Sequence, residues 1–292
     1  MPQPYAKVLR RMNRGVGMVR RSFAQAIFCS PAGRLVPFDR TILDGLERDG
    51  TVVTHVDALA QAGYVGVKDV LRFGPALFEG LNAPLDKGYV VHVPPGRIEA
   101  SPAPLLWGLN ARFLDIVEAY IGLPAGYRGM TARRDIANGE QSATRLWHRD
   151  GEDARIVKII VYLNDVECAD DGAFEYIPKS VLSSTRGLTV FEGNRVSDAD
   201  IDQVVPKNQQ RLCLGHAGTV VITDTCSVFH KGAVGKRRDR YTLFYAFNSF
   251  APLSPTNCSL LFDAQRFRGR AALTPRQAEL IDRSMHAGSQ AG

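Results

Sequence analysis

Six histidines occur in this 292-residue chain, and two of them sit where an imidazole could bind a metal. His148 and Asp150 lie in the run LWHRDGED, and His230 lies in DTCSVFHKG. Side chains alternate between the faces of a β-strand, so a His and an acid two positions apart project the same way. A second His brought in from a distant strand would put two imidazoles and one carboxylate on one face of an ion. That donor set suits Fe(II), with the remaining positions open to O2 and a co-substrate. The tripeptide His-x-Asp alone is a weak signal, because chance supplies it and strand histidines commonly serve packing. The context of His230 strengthens it. A glycine turn, an apolar strand and a turn acid (Gly218 to Asp224) precede it, and Lys231-Gly232 follow. Ten residues beyond His230 stands Arg240, at the start of another apolar strand. An Arg at that distance can occupy the neighbouring strand, where its planar fork suits a bidentate grip on a carboxylate. Arg238 is the competing candidate, but Lys236-Arg237-Arg238 reads as a solvated turn.

The elements that must position these residues follow from periodicity and turn chemistry. Residues 39–49 have helical spacing and end at Gly50, and Thr51 to His55 and Val90 to Val93 read as strands. Leu105, Leu106, Leu109, Phe113, Ile116 and Val117 predict one helix over about 103–121, stopped by Gly122 and Pro124. Strands are then predicted over 128–134, 142–148, 155–163, 173–177, 218–224 and 240–248, with residues 179–217 a long, lid-like connection. Within that connection Ser197 to Asp200 can cap a short helix before Pro206. Thr274-Pro275-Arg276-Gln277 offers an N-cap, a proline at the first helical position and a Gln at the third, which predicts a terminal helix. Many short strands with flanking helices argue for a mainly β fold with a jelly-roll core. The expected organisation is a single catalytic domain: a basic arm over 1–21, a mixed buttress over 22–127, the core over 128–250 and a helical segment over 251–292.

With these residues in place, the sequence resembles the phytanoyl-CoA dioxygenase-like branch of the Fe(II)/2-oxoglutarate oxygenases, well over about 140–250 and loosely over the first third. The motifs that carry the resemblance are the His-x-Asp, Tyr162-Leu163-Asn164-Asp165, the turn from Gly172 to Ile177-Pro178, the distal His230-Lys231-Gly232, and Arg240. The resemblance implies a double-stranded β-helix (cupin-like) core. It implies Fe(II) on His148, Asp150 and His230, and 2-oxoglutarate held through its distal carboxylate by Arg240, with Thr242 as hydroxyl partner. It further implies oxidation of an unactivated C–H of a substrate by O2, with release of succinate and CO2. Relatives that halogenate lack the metal carboxylate, so Asp150 points to hydroxylation or another two-electron oxidation. One departure stands beside the site. The family commonly reads Pro-Gly-Ser-His where this chain has Pro178-Lys179-Ser180-Val181, so substrate contacts there are expected to differ.

On strand 155–163, Lys158, Ile160 and Tyr162 share one face, and Val157, Ile159, Val161 and Leu163 share the other. The first set could line the co-substrate pocket, with Lys158 or Tyr162 reaching 2-oxoglutarate; an edge charge and a core aromatic are the plainer alternatives. Trp147 should point away from the metal and pack. Arg133, Arg145 and Arg186 could greet an anionic substrate, with surface charge as the plainer account. No catalytic group is assigned beyond the metal site.

Composition bounds the rest. Hydrophobic residues at 45% and charged residues at 23% exclude a disordered or coiled-coil chain, and no apolar run is long enough to span a bilayer. Lys7, Arg10, Arg11, Arg14, Arg20 and Arg21 lie in an acid-free arm that carries the whole net charge of +6. Such an arm could recruit nucleic acid or protein, but the neutral body has no basic stripe interleaved with aromatics, so a small-molecule substrate leads. Five scattered cysteines without a CxxC pair read as reduced thiols of a cytoplasmic enzyme. The alternatives are an oxygenase acting on nucleic acid or protein, and a jelly-roll binding protein without catalysis.

Overall fold

The computed structural model describes residues 19, 21–22, 24–81, 88–184, 195–254, 258 and 260–289. Most of the basic arm and Arg186 lie outside the described residues.

Among the described residues, nine strands form two antiparallel sheets. They are β1 (Thr51–His55), β2 (Val90–His92), β3 (Ala125–Asp135), β4 (Val157–Tyr162), β5 (Phe174–Ile177), β6 (Arg211–Cys213), β7 (Thr219–Asp224), β8 (Phe229–Gly232) and β9 (Arg240–Ser249). The larger sheet runs β1-β7-β4-β9-β3-β2, and the smaller one β6-β5-β8. The three longest helices among the described residues are α1 (Pro37–Asp49), α2 (Ala111–Ile121) and α3 (Pro275–Ser289).

The alternation along β4 sorts the molecule into layers. Val157, Ile159 and Val161 face outward into a core shared with Ile42 and Leu46 of α1 and Phe113, Ile116 and Tyr120 of α2. Ile160 and Tyr162 face inward, packing with Val221, Phe174 and Cys213 between the sheets. A sheet covered on both faces buries its strands throughout, and all six residues of β7 are buried, with Val220, Val221 and Ile222 apolar at its centre.

Two predicted elements differ in form. The helix expected over 103–121 is broken into Ala103–Gly108 and α2. Asn110 breaks it by adopting an extended backbone and capping α2, its Oδ1 accepting from Arg112 N at 3.1 Å. The strand expected over 142–148 is instead a 3-10 turn, Ala143–Arg145, followed by isolated bridges at Trp147 and His148. The capping pair predicted for the terminal helix is present: Gln277 N donates to Thr274 Oγ1 at 3.3 Å, and Thr274 N donates to Gln277 Oε1 at 2.9 Å.

Candidate metal centre

Backbone pairing brings the two histidines together. His148 N donates to His230 O at 3.0 Å and His230 N donates to His148 O at 2.9 Å, which clips the segment before β4 onto β8. Their ring centroids stand 4.3 Å apart. Asp150 follows on the same side, its amide donating to Thr225 O at 2.9 Å just beyond β7. One ligating atom each from His148, Asp150 and His230 lies within 4.8 Å of the others.

Hydrogen bonds orient the rings. His148 Nδ1 lies 2.8 Å from Leu146 O and His230 Nδ1 lies 3.3 Å from Val228 O. A carbonyl can only accept, so each Nδ1 carries the proton and each Nε2 keeps its lone pair for a ligand. Burial pushes His230 down to about 3, helped by the neighbouring His148, and burial also lowers His148. Both imidazoles are therefore neutral at pH 7, the form that binds a metal. Burial alone would raise Asp150, but the Lys158 ammonium, by its charge and its hydrogen bond, outweighs burial and keeps the carboxylate ionised. Lys158 Nζ donates to Asp150 Oδ2 at 2.6 Å, which leaves the other carboxylate oxygen for a metal.

These groups open on a cavity of about 220 Å3 whose walls include Ile160, Phe174, Phe244, Arg133 and Arg240. Phe174 stacks on His230 at 5.5 Å and 24°. Arg240 is buried, and its Nη1 has no hydrogen-bond partner. Gly232 faces that guanidinium; a Cβ there would stand 3.4 Å from Nη2. Gly232 is two residues from His230 on β8, a step of ~6.6 Å.

Not every expected residue reaches the cavity. Tyr162 does not line it: its hydroxyl donates to Cys213 O at 3.0 Å and accepts from Phe174 N at 2.9 Å. Thr242 is buried and does not line it either, its hydroxyl donating to Arg133 O at 3.4 Å. Arg145 is a structural strut that donates to Ile136 O, Glu140 O and Asn138 Oδ1 and lies 3.9 Å over the Tyr89 ring. Lys158 does line the cavity, beside Asp150. Trp147 packs with Ile177, Val196 and Phe229. Asp135, Thr225, Phe174 and Phe244 belong to the site and escaped the sequence reading. Phe174 and Phe244 were within its reach, because the first lies in the turn from Gly172 to Pro178 and the second shares a strand face with Arg240.

No protein-family model and no curated protein sequence matches the chain. Solved structures do match. The fold is similar to that of HygX. The crystal structure of HygX from Streptomyces hygroscopicus with nickel and 2-oxoglutarate bound has a TM-score of 0.50 and 17% sequence identity, covering 74% of this chain and 87% of that one. Also similar are EctD from S. alaskensis with bound Fe and SnoN. EctD has a TM-score of 0.46 and 16% identity, covering 85% of this chain and 84% of that one. SnoN, a non-heme alpha ketoglutarate dependent epimerase from nogalamycin biosynthesis, has a TM-score of 0.44 and 12% identity, covering 72% and 82%. The likeness to HygX establishes the fold, and the double-stranded β-helix expected from the sequence is the core of this chain.

Proposed function

We propose that this protein is an Fe(II)- and 2-oxoglutarate-dependent dioxygenase that hydroxylates an unactivated C–H of a small, biosynthetic molecule. The observation that carries this reading is that two neutral imidazoles and one carboxylate each bring a ligating atom within 4.8 Å of the others, in a cavity also lined by buried Arg240, whose Nη1 lacks a partner. A closed zinc cage would need a fourth protein donor, whereas three donors leave positions open. The binding of nickel and 2-oxoglutarate by HygX, on the same fold, supports the reading.

His148, Asp150 and His230 would hold the iron, and Arg240 would neutralise the distal carboxylate of 2-oxoglutarate. When bound, the iron and 2-oxoglutarate supply the activation of O2 and a two-electron oxidation, with succinate and CO2 as products. The chain's own residues set the conditions. The Leu146 and Val228 carbonyls fix the tautomer and tilt of each ring. Lys158 restrains Asp150 through one oxygen. Ile160, Phe174 and Phe244 give the otherwise charged cavity an apolar wall.

No helix of the described residues is long and apolar enough to cross a membrane. Buried, unpaired Cys213, Cys226 and Cys258 fit a reducing compartment, so we place the enzyme in the cytoplasm. Anaerobic titration with Fe(II) and 2-oxoglutarate, followed by a substrate screen reading succinate release, tests the assignment. Saturable binding of both with substrate-dependent succinate supports it, and absence of iron binding sinks it. A protein acting on nucleic acid would instead show salt-dependent affinity lost on deleting residues 1–21.

A further inference from the structure

Six buried side-chain polar atoms among the described residues have no hydrogen-bond partner, and three of them belong to one cluster: Arg133 Nε, Asp135 Oδ1 and Arg240 Nη1. Buried polar atoms without partners are rare in folded proteins, so the two orphaned donors, Arg133 Nε and Arg240 Nη1, call for a missing acceptor, whereas Asp135 Oδ1 is itself an acceptor. The cluster is built across the β3–β9 ladder, where Asp135 lies opposite Arg240 and Arg133 opposite Thr242. Asp135 Oδ2 accepts from Arg240 Nη2 at 2.7 Å and from Arg240 Nε at 3.1 Å. Arg133 Nε stands 3.3 Å from the same oxygen, and its guanidinium lies 4.3 Å over the Phe244 ring, at the cavity wall. Burial would raise Asp135, but the charges of Arg133 and Arg240 hold it below its ordinary value, so it is ionised.

Charge decides what the cluster accepts. Arg240 and Asp135 alone would be a self-sufficient ion pair with little pull on an anion. Arg133 adds a second buried cation, and the three side chains together carry one positive charge. A single carboxylate cancels it and supplies acceptors for the orphaned donors. We propose that Arg133, Asp135 and Arg240 form one receptor for the distal carboxylate of 2-oxoglutarate, with Arg133 the residue that leaves Arg240 free to bind and Asp135 a positioning residue that holds the fork in place. This inference rests on the 2-oxoglutarate reading above and removes Arg133 from the substrate-contacting set expected from sequence.

The test is calorimetric binding to the full chain loaded anaerobically with Fe(II), using 2-oxoglutarate and 2-oxovalerate, which has the same carbon chain without the distal carboxylate. Wild type should prefer 2-oxoglutarate by about tenfold or more. Arg133→Met should lose most of that preference, because Asp135 then neutralises Arg240. The charge-matched double variant Arg133→Met/Asp135→Asn should regain it, a non-additive recovery that a merely structural role cannot produce. Arg133→Met with an unchanged preference overturns the inference, as does equal weakening of both ligands without recovery. A wild-type protein that binds iron but no 2-oxoglutarate sinks the underlying reading instead.

Discussion

At the scale of single residues, the chemistry depends on which atoms are left free after the protein has satisfied its own hydrogen bonds. The Nδ1 protons of His148 and His230 are spent on carbonyls, and one oxygen of Asp150 is spent on Lys158. What remains is one donor atom per residue. Asp150→Ala should therefore lower Fe(II) affinity by a hundredfold or more and abolish substrate-coupled succinate release; as reference, loss of a mere supporting contact costs about 10–100-fold. Lys158→Met should have that smaller effect, because Asp150 remains as the ligand and loses only the cation that restrains it and favours its ionised form. Equilibrium metal titration separates the two. The Tyr162 and Thr242 hydroxyls illustrate the opposite outcome: both were legible as polar groups on the inward face, and both are consumed by backbone partners.

At the scale of elements, turns and bulges hold the site open. The β3–β9 register shifts between Tyr127 and Gly129, and Gly129 has φ 105°, a conformation that favours glycine. A Cβ there would stand 2.6 Å from Phe262, whose neighbour Leu261 donates to Arg128 O at 2.8 Å and reaches the cavity. Gly129→Ala should destabilise the fold by about 1–3 kcal/mol, seen as a lower denaturation midpoint with an unchanged m-value. The turn between β4 and β5 depends on charge. Asp171 is fully buried, and its hydrogen bonds from Arg237 lower its pKa further than burial raises it. A depressed carboxylate contributes stability that is complete above its unfolded value and is lost as pH falls below it. Wild type should accordingly lose stability on acidification below about pH 4, and Asp171→Asn should flatten that slope while costing about 1–3 kcal/mol at pH 7. Chemical denaturation as a function of pH checks both.

At the scale of the whole molecule, the metal centre is a junction. His148 precedes β4 of the large sheet, His230 lies on β8 of the small one, and Asp150 hangs from the end of β7. An ion held by all three would clamp the sheets. Fe(II) with 2-oxoglutarate, each far above its dissociation constant, should raise the melting temperature, since a ligand at a hundredfold excess over Kd contributes about 2.7 kcal/mol. Chelation should reverse the shift, and His148→Ala should lack it. A melting temperature indifferent to metal in the wild type would argue against such a clamp. Much of this was visible in the linear chain. The two faces of β4 and the terminal helix with its capping pair follow from local periodicity and local hydrogen bonding, which are written in consecutive residues, whereas His148 and Asp150 stand outside any regular strand. Which strands lie side by side was not. Nothing near Asp135 announces Arg240, and nothing near His148 announces His230. The period of two says which face a side chain takes, and is silent on the neighbour it meets or the depth at which it stops. Pairing between distant strands is set by the packing of both sheets together, so the shared oxygen of Asp135 and the meeting of two imidazoles exist only once the chain has folded.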